Sequence, residues 1–445
     1  MTYPHSAWPG QPGPHPAHLP QVGPYRPAAS AATARALPWV GGGAGFGLIF
    51  LLLLGFFTVE GSFAGVLIGF LLASLTLVLV LSAFVWIDRV EPEPLSHLAF
   101  AFGWGATVAV LFSYVVNSLG SWLLQVNGAV VMAPVVEETA KGCGLLVFLL
   151  FRRRHFDGIV DGIVLAGFVA AGFAFTENIL YLARAFTEGN EHGSGVGTAF
   201  ALQTFLIRGV LSPFAHPLFT AMTGIGCGIA AVTRSAPLRV VAPFLGWCGA
   251  VFLHFLWNAS STVGESAFWL VYLLLMVPLF GSMIGLVVWS RRLEMRVIAR
   301  HLPAYAAAGW LAGWELPALT TLDGRRRARE WAQRMFGGAG RRAMVGLQLA
   351  ATELAFLRER ASRGYDLYQF AQREQELLAR VGTHKQVLLP AAQHRPFGVA
   401  QVPAQPTAGP RPPASPGWPP QQFPAPRPSP WDRPADQRHP PEQGR

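Results

Sequence analysis

The feature that most constrains this chain is a series of long apolar segments between Trp39 and Trp289, separated by short polar stretches. A helix of about 20 apolar residues spans the hydrocarbon core of a bilayer. Only 13% of all residues are charged, against roughly 25% in soluble domains. We therefore predict an all-α polytopic membrane protein of about eight transmembrane helices. The predicted spans are residues 39–58, 63–87, 97–119, 127–151, 156–186, 198–232 (broken near Pro213), 240–261 and 266–289.

The polar flanks complete the predicted domain organisation. Residues 1–38 are rich in Pro, Gly and Ala and are predicted to form a disordered arm before a transmembrane domain over residues 39–290. Residues 291–388 have amphipathic spacing and are predicted to form a cytoplasmic helical segment. Residues 389–445 form a Pro-rich tail that buries too little apolar surface to fold alone. Alternatively, this tail supplies polyproline ligands for a partner.

Basic residues predict the orientation in the membrane. With eight spans, the basic loops at 151–155 and 233–239 and the arginines after Trp289 lie on the same side as the N-terminus. The positive-inside rule then predicts a multi-pass protein of the cell membrane with both termini in the cytoplasm. The same distribution accounts for the net charge of +10, so we predict the lipid bilayer and not nucleic acid as the surroundings of this chain.

Polar side chains inside the spans point to a function. An ionisable group at the centre of a membrane helix costs at least about 2.5 kcal/mol, so each one needs a reason. The interiors of the first and third spans carry no charged residue, which predicts a polar core built by the fourth to seventh spans. The polar residues of those four spans are Glu137, Glu138, Lys141, Asp157, Asp161, Glu177, Asn178, Arg208, His216, His254 and Asn258.

The depths of these residues suggest that several of them meet. At 1.5 Å per residue, Glu138, His216 and His254 lie about 20–24 Å from the cytoplasmic ends of their helices, and Glu177 lies about 31 Å from its end. Such agreement between separate helices favours one shared site in the outer half of the membrane.

Carboxylates, histidines and an amide in a dry site suit hydrolysis of an amide by activated water. A carboxylate is the expected general base, and histidines either bind a metal or donate to the oxyanion. Structural explanations stay open for Lys141 as an ion-pair partner of Glu137 and for Arg208 as a counter-charge. Asp157 and Asp161 can likewise cap their helix or interact with the arginines of the loop at 151–155. The alternative function is a non-enzymatic membrane protein, either a proton-coupled transporter or a scaffold.

Four short motifs resemble those of a known family. EETAK (137–141), the stretch 157–178, HPLFT (216–220) and HFLWN (254–258) are similar, in this order, to the motifs of PrsW-type intramembrane proteases. That family is related to the CAAX-prenyl endopeptidases and the bacteriocin-immunity membrane proteases. The resemblance implies a multi-spanning protease, usually classed as a metalloprotease, that acts on a membrane-anchored protein such as an anti-sigma factor.

The resemblance also implies which residues act. The expected catalytic set has Glu138 as the preferred base and Asn258 as the group that steadies the oxyanion. If the enzyme carries Zn²⁺, Glu177 is expected to be a further ligand. If it carries no metal, Glu177 is expected to orient a histidine. The catalytic residues are Glu137, Glu138, His216, His254 and Asn258, and the metal ligands are Glu177, His216 and His254.

Overall fold

The computed structural model describes residues 29–392 apart from 91, 125–127, 129, 152–155, 157 and 363–369. The predicted tail from 393 onward, the first 28 residues of the predicted arm, the basic residues 152–155 and Asp157 lie outside this part of the chain. Among the described residues the secondary structure is entirely helical, in agreement with the predicted all-α class. The helices are α1 Ala29–Glu60, α2 Phe63–Ile87, α3 Leu95–Gly103, α4 Val110–Leu124, α5 Met132–Phe151, α6 Ile159–Glu191, α7 Val196–Phe205, α8 Ala215–Val232, α9 Ala236–Val263, α10 Glu265–Val271, α11 Val277–Ala307, α12 Leu316–Thr320, α13 Leu322–Ser362 and α14 Phe370–Ala392.

Seven stretches of helix in the described part are long and apolar enough to cross a membrane. They coincide with seven of the eight predicted spans, although three of them consist of two helices joined through a π-helical segment. The remaining predicted span is α5, a helix of 20 residues that carries Glu137, Glu138 and Lys141 close together. Charge, which made this segment conspicuous in the sequence, is also what sets it apart from the other seven.

Helix α6 lies at the centre of the membrane domain. In the most apolar part of α6, 83% of the residues are buried. The helix packs against α2, α3, α5, α7 and α8. Its small residues make this possible, as the sequence suggests. A Cβ atom on Gly162 would lie 2.0 Å from the carbonyl oxygen of Gly224 in α8, and one on Gly172 would lie 2.2 Å from that of Phe102. These close approaches bring the backbones of neighbouring helices to α6.

The outer helices are peripheral. In the most apolar part of α1, and likewise of the stretch from Glu265 to Ala307, only 11% of the residues are buried. Their large apolar side chains are therefore free to contact lipid. Helix α9 packs against α5, α8 and α10 and contributes to the predicted polar core, although only 33% of the residues in its most apolar stretch are buried. It contributes to the interior through one stripe that includes Leu253 and His254.

The sixth predicted span is divided where Pro213 was expected to break it. Helix α7 continues as a π-helical segment over Leu206–Leu211, and α8 begins at Ala215 after a short turn. Proline lacks the backbone N–H that a continuous helix needs. The break places Arg208 on the π-helical segment and His216 in the first turn of α8.

Helices α12, α13 and α14 follow the last membrane stretch. Helix α13 changes direction at Gly337, where φ is +61°, a backbone conformation that glycine adopts without strain. Its first half is fixed by Arg325, which is buried and donates to the carbonyl oxygens of Leu319 and Gln348.

Candidate active site

Helix α5 supplies two carboxylates and a cation to the interior. Glu137 is 7% exposed, and Glu138 and Lys141 are completely buried. Lys141 Nζ donates to Glu138 Oε1 at 2.7 Å and lies 3.9 Å from Glu137 Oε2. The sequence favoured a pair between Lys141 and Glu137 one turn apart, yet the shorter contact is to Glu138. Pro134 is in the first turn of α5, where proline is tolerated.

Both oxygens of Glu138 are occupied by hydrogen bonds. Thr220 Oγ1 donates to Oε2 at 2.9 Å, and His254 Nδ1 lies 3.1 Å from Oε1, which Lys141 also contacts. Because a carboxylate only accepts, Nδ1 of His254 carries the proton. The other ring nitrogen, Nε2, is then unprotonated and carries a free electron pair. It lies 3.8 Å from Glu137 Oε2.

His216 lies between a cation and a second carboxylate. Lys141 Nζ is 3.1 Å from its Nδ1, and Glu177 Oε2 is 3.0 Å from its Nε2. An ammonium group only donates and a carboxylate only accepts, so Nδ1 accepts and Nε2 carries the proton. The ring stands edge-on to that of His254, with centroids 5.2 Å apart.

Arg208 fixes the carboxylate that holds His216. Its guanidinium contacts Glu177 Oε2 through Nη2 and donates through Nε to Asn178 Oδ1 at 2.7 Å. It also lies 4.0 Å over the ring of Tyr181. Arg208 thus acts as the counter-charge that the sequence suggested, and Glu177 is held by a cation on one side and an imidazole on the other.

Glu137 has a buried carboxylate oxygen that remains available. Its Oε2 is buried and accepts no hydrogen bond from any described residue. A ligand atom of Glu137, one of His216 and one of His254 all lie within 4.8 Å of one another. The sequence proposed Glu177 as the carboxylate of a metal set with the two histidines. The structure instead groups Glu137 with them.

A cavity of about 340 Å³ reaches this cluster. His216 and Arg208 line one side of it and Asn258 lines another, while Tyr181, Trp257 and Phe268 provide aromatic walls. The structure therefore brings Glu137, Glu138, Glu177, His216 and His254 together and places Asn258 at the cavity beside them. Asp161 is not part of the group and lines a different cavity together with Glu93.

The family model of the PrsW family intramembrane metalloproteases matches residues 93–313. That range contains every side chain of the cluster. The chain is similar to the PrsW family over about half of its length. Helices α5, α6, α8 and α9, which carry the four motifs, all lie within the matched range.

Relatives that carry the name Protease PrsW are also similar to this chain. The protein of Clostridioides difficile (strain 630) is 33% identical over 161 residues, which are 34% of this chain and 62% of that protein. The protein of Geobacillus kaustophilus (strain HTA426) is 33% identical over 154 residues, 34% of this chain and 61% of the relative. This chain therefore spans about three fifths of the length of these two relatives. The protein of Oceanobacillus iheyensis is 26% identical over 222 residues, covering 48% of this chain and 92% of the relative. No solved structure matches.

Sequence reasoning assigned no role to Thr220, although it lies in the third motif. The signal was present, because Thr220 follows His216 by four residues and therefore shares its helix face. The contact between Lys141 and His216 was also missed. It joins residues on different helices, which spacing along one helix does not reveal.

Proposed function

We propose that this chain is an intramembrane endopeptidase of the cell membrane, with both termini in the cytoplasm, that hydrolyses a peptide bond in a membrane-anchored protein. The observation that carries the proposal is the group of Glu137, His216 and His254, whose ligand atoms lie within 4.8 Å of one another; Glu137 and His254 are buried and His216 is half-buried. A carboxylate oxygen without a hydrogen bond, beside two imidazoles, is arranged to hold a water molecule or a metal ion. The match to the PrsW family intramembrane metalloproteases supports the same activity.

The donor set fits Zn²⁺. Two imidazoles and one carboxylate are a common three-residue set at catalytic zinc sites, which leave a fourth position open. Glu137, His216 and His254 would hold the ion, which when bound makes water more acidic and polarises a carbonyl group. Because both nitrogens of His216 already have partners, one of its contacts, to Lys141 or to Glu177, has to break for this ligand to bind.

Glu137 is proposed as the carboxylate that faces the hydrolytic water. Glu138, the base preferred from the sequence, has no free oxygen and is better suited to position His254 through Nδ1. Carboxylates that orient metal-binding or catalytic histidines in this way are common. Glu177 performs the corresponding task for His216 and is itself held by Arg208.

Asn258 is proposed to bind the carbonyl oxygen of the scissile bond. It lines the cavity that His216 also lines, and its amide group can donate to a developing oxyanion. Hydrogen-bond donors of this kind are worth about 2.7–4 kcal/mol of transition-state stabilisation.

An apolar cavity of about 330 Å³ adjoins this polar cavity and supports a membrane-anchored substrate. The two cavities share Ser212, Pro213, Ala215 and Trp257 as walls. Leu79, Phe214 and Phe280 line the rest of the apolar one, so an apolar side chain next to the scissile bond can be accommodated there. A membrane-anchored anti-sigma factor is the substrate that the family resemblance suggests.

The test is cleavage of a tagged single-span protein co-expressed with the full chain. We expect the wild type to release a fragment, and both Glu137→Gln and His254→Ala to abolish release while the proteins remain inserted. Glu265→Gln changes an exposed glutamate of α10 and serves as the matched control with full activity. Cleavage at the wild-type rate by His254→Ala would overturn the proposal.

The amount of bound metal distinguishes a zinc-dependent hydrolysis from one in which Glu137 activates water without a metal. Purified wild type is expected to retain about one zinc ion per chain, as a site with three protein ligands does, and His216→Ala is expected to lose it. If the wild type is active without stoichiometric metal, Glu137 acts as a general base directly.

A further inference from the structure

Another cavity, of about 560 Å³, lies between the end of α2 and helix α13, away from the candidate active site. Five arginines and two acidic residues line it. Two of the arginines have structural partners, since Arg325 binds backbone carbonyl oxygens and Arg326 pairs with Asp323. The remaining three are Arg89, Arg329 and Arg341.

These three arginines form no ion pair with any carboxylate in the described part of the chain. Glu330 also lines the cavity but pairs with none of them. Arg329 donates through Nε to the neutral side chain of Gln348 at 2.7 Å. The pKa of Arg329 lies below its ordinary value, because burial and then the charges of Arg89 and Arg341 disfavour its cationic form. Three neighbouring cations that lack an ion-pair partner favour the binding of an anion.

The position of Arg89 indicates where that anion comes from. Helix α2 crosses the membrane and ends at Ile87, so Arg89 lies at the membrane surface. Its guanidinium stacks at 4.6 Å over Trp86, which is 54% exposed, as is typical of an aromatic residue at the interface. The neighbouring Val85 is also exposed on α2 and offers an apolar surface to an acyl chain.

We propose that this cavity binds the phosphate group of an anionic phospholipid, with Arg89, Arg329 and Arg341 as its ligands. Arginine recognises phosphate oxygens through several N–H donors at once. The acyl chains would lie along the exposed face of α2, and the headgroup would join α2 to α13. A free phosphate-bearing solute offers the same chemistry, and the experiment separates the two sources.

The experiment measures lipid retention by the full chain in neutral detergent micelles doped with phosphatidylglycerol or phosphatidylcholine. Native mass spectrometry counts the bound lipids, and thermal unfolding reports their stabilising effect. The test variant is Arg329→Gln/Arg341→Gln. The matched control, Arg327→Gln/Arg342→Gln, removes the same charge from exposed positions of α13 that do not line the cavity.

We expect the wild type and the control variant to retain phosphatidylglycerol in preference to phosphatidylcholine. Each arginine near an anionic surface strengthens binding about fivefold, so the test variant should bind phosphatidylglycerol about 30-fold more weakly. Should the double variant fail to fold, Arg341→Gln alone changes an exposed side chain and is expected to weaken binding about fivefold.

Equal retention by all variants, or no preference between the two lipids together with no effect of phosphate, would overturn the proposal. Stabilisation of the wild type by inorganic phosphate, lost in the test variant and without a lipid preference, would support the phosphate site and assign it to a soluble ligand. The readout is binding, so it is independent of whether the chain is a protease.

Discussion

Replacement of Thr220 by valine tests how the candidate active site is held together. Thr220 is completely buried, and its hydroxyl is one of three donors to Glu138, at 2.9 Å, beside Lys141 at 2.7 Å and His254 at 3.1 Å. Valine keeps the shape of threonine but removes the donor. A hydrogen bond to a charged group contributes about 1.5–3 kcal/mol, and the buried oxygen that loses its partner finds no replacement.

We therefore expect Thr220→Val to lower the free energy of unfolding by about 1.5–3 kcal/mol. If the same energy is lost from the positioning of His254, cleavage of the reporter falls roughly 10- to 150-fold, at 1.36 kcal/mol per factor of ten. Unfolding is followed by titration with sodium dodecyl sulfate in mixed micelles, and cleavage by fragment release from purified protein.

Thr220→Ser is the matched control because it keeps the hydroxyl and removes only a methyl group. It should retain most of the activity. Two results would refute the reasoning: a valine variant as active and as stable as the wild type, or a serine variant damaged as severely as the valine variant.

Three further perturbations follow from individual contacts. Gly162→Ala places a methyl group 2.0 Å from a backbone oxygen of α8 and should cost about 1–3 kcal/mol of stability by overpacking, whereas Gly281→Ala, with nothing within 4 Å, should be tolerated in the same thermal unfolding assay. Burial, with a smaller contribution from the charge of a nearby glutamate, raises the pKa of Asp88 to about 7. The folded state therefore binds a proton that the unfolded state releases near pH 4, so stability should fall as the pH rises from about 4 to about 7; in Asp88→Asn this decrease should disappear. Arg208→Lys keeps the charge, but a lysine cannot contact Glu177 and Asn178 at the same time as the arginine does. The substitution should lower kcat while leaving the amount of inserted protein unchanged.

The fold was largely predictable because bilayer thickness fixes the length of apolar helices. The same geometry made the meeting of Glu138, His216 and His254 predictable, since depth follows from residue count at 1.5 Å per residue. The division of the sixth span at Pro213 followed from the missing backbone donor of proline. Close packing of α6 followed from its glycines.

Other features depend on how the helices are rotated about their axes, which the sequence does not reveal. Spacing shows that Glu137 and Glu138 point about 100° apart but not which of them faces the histidines. The sequence preferred Glu138, whereas in the structure Glu137 keeps the free oxygen. The partner of Glu177 was open for the same reason, since Arg208 reaches it from a π-helical segment whose register differs from that of a regular helix.

How much of α9 is buried was also beyond the sequence. His254 and Asn258 marked this helix as part of a polar core, yet a single buried stripe is enough to deliver His254 to Glu138. The fraction of a helix that is buried depends on how many other helices pack around it. The polar residues in its sequence do not reveal that number.

The central claim is that the group of Glu137, His216 and His254 performs hydrolysis. Its most direct test is cleavage of a purified single-span substrate by purified protein in liposomes, comparing the wild type with Glu137→Gln, which keeps the size of the side chain and removes its charge. The account predicts that Glu137→Gln folds, inserts and binds the substrate but releases no fragment above background. Fragment release by Glu137→Gln at the wild-type rate would contradict it.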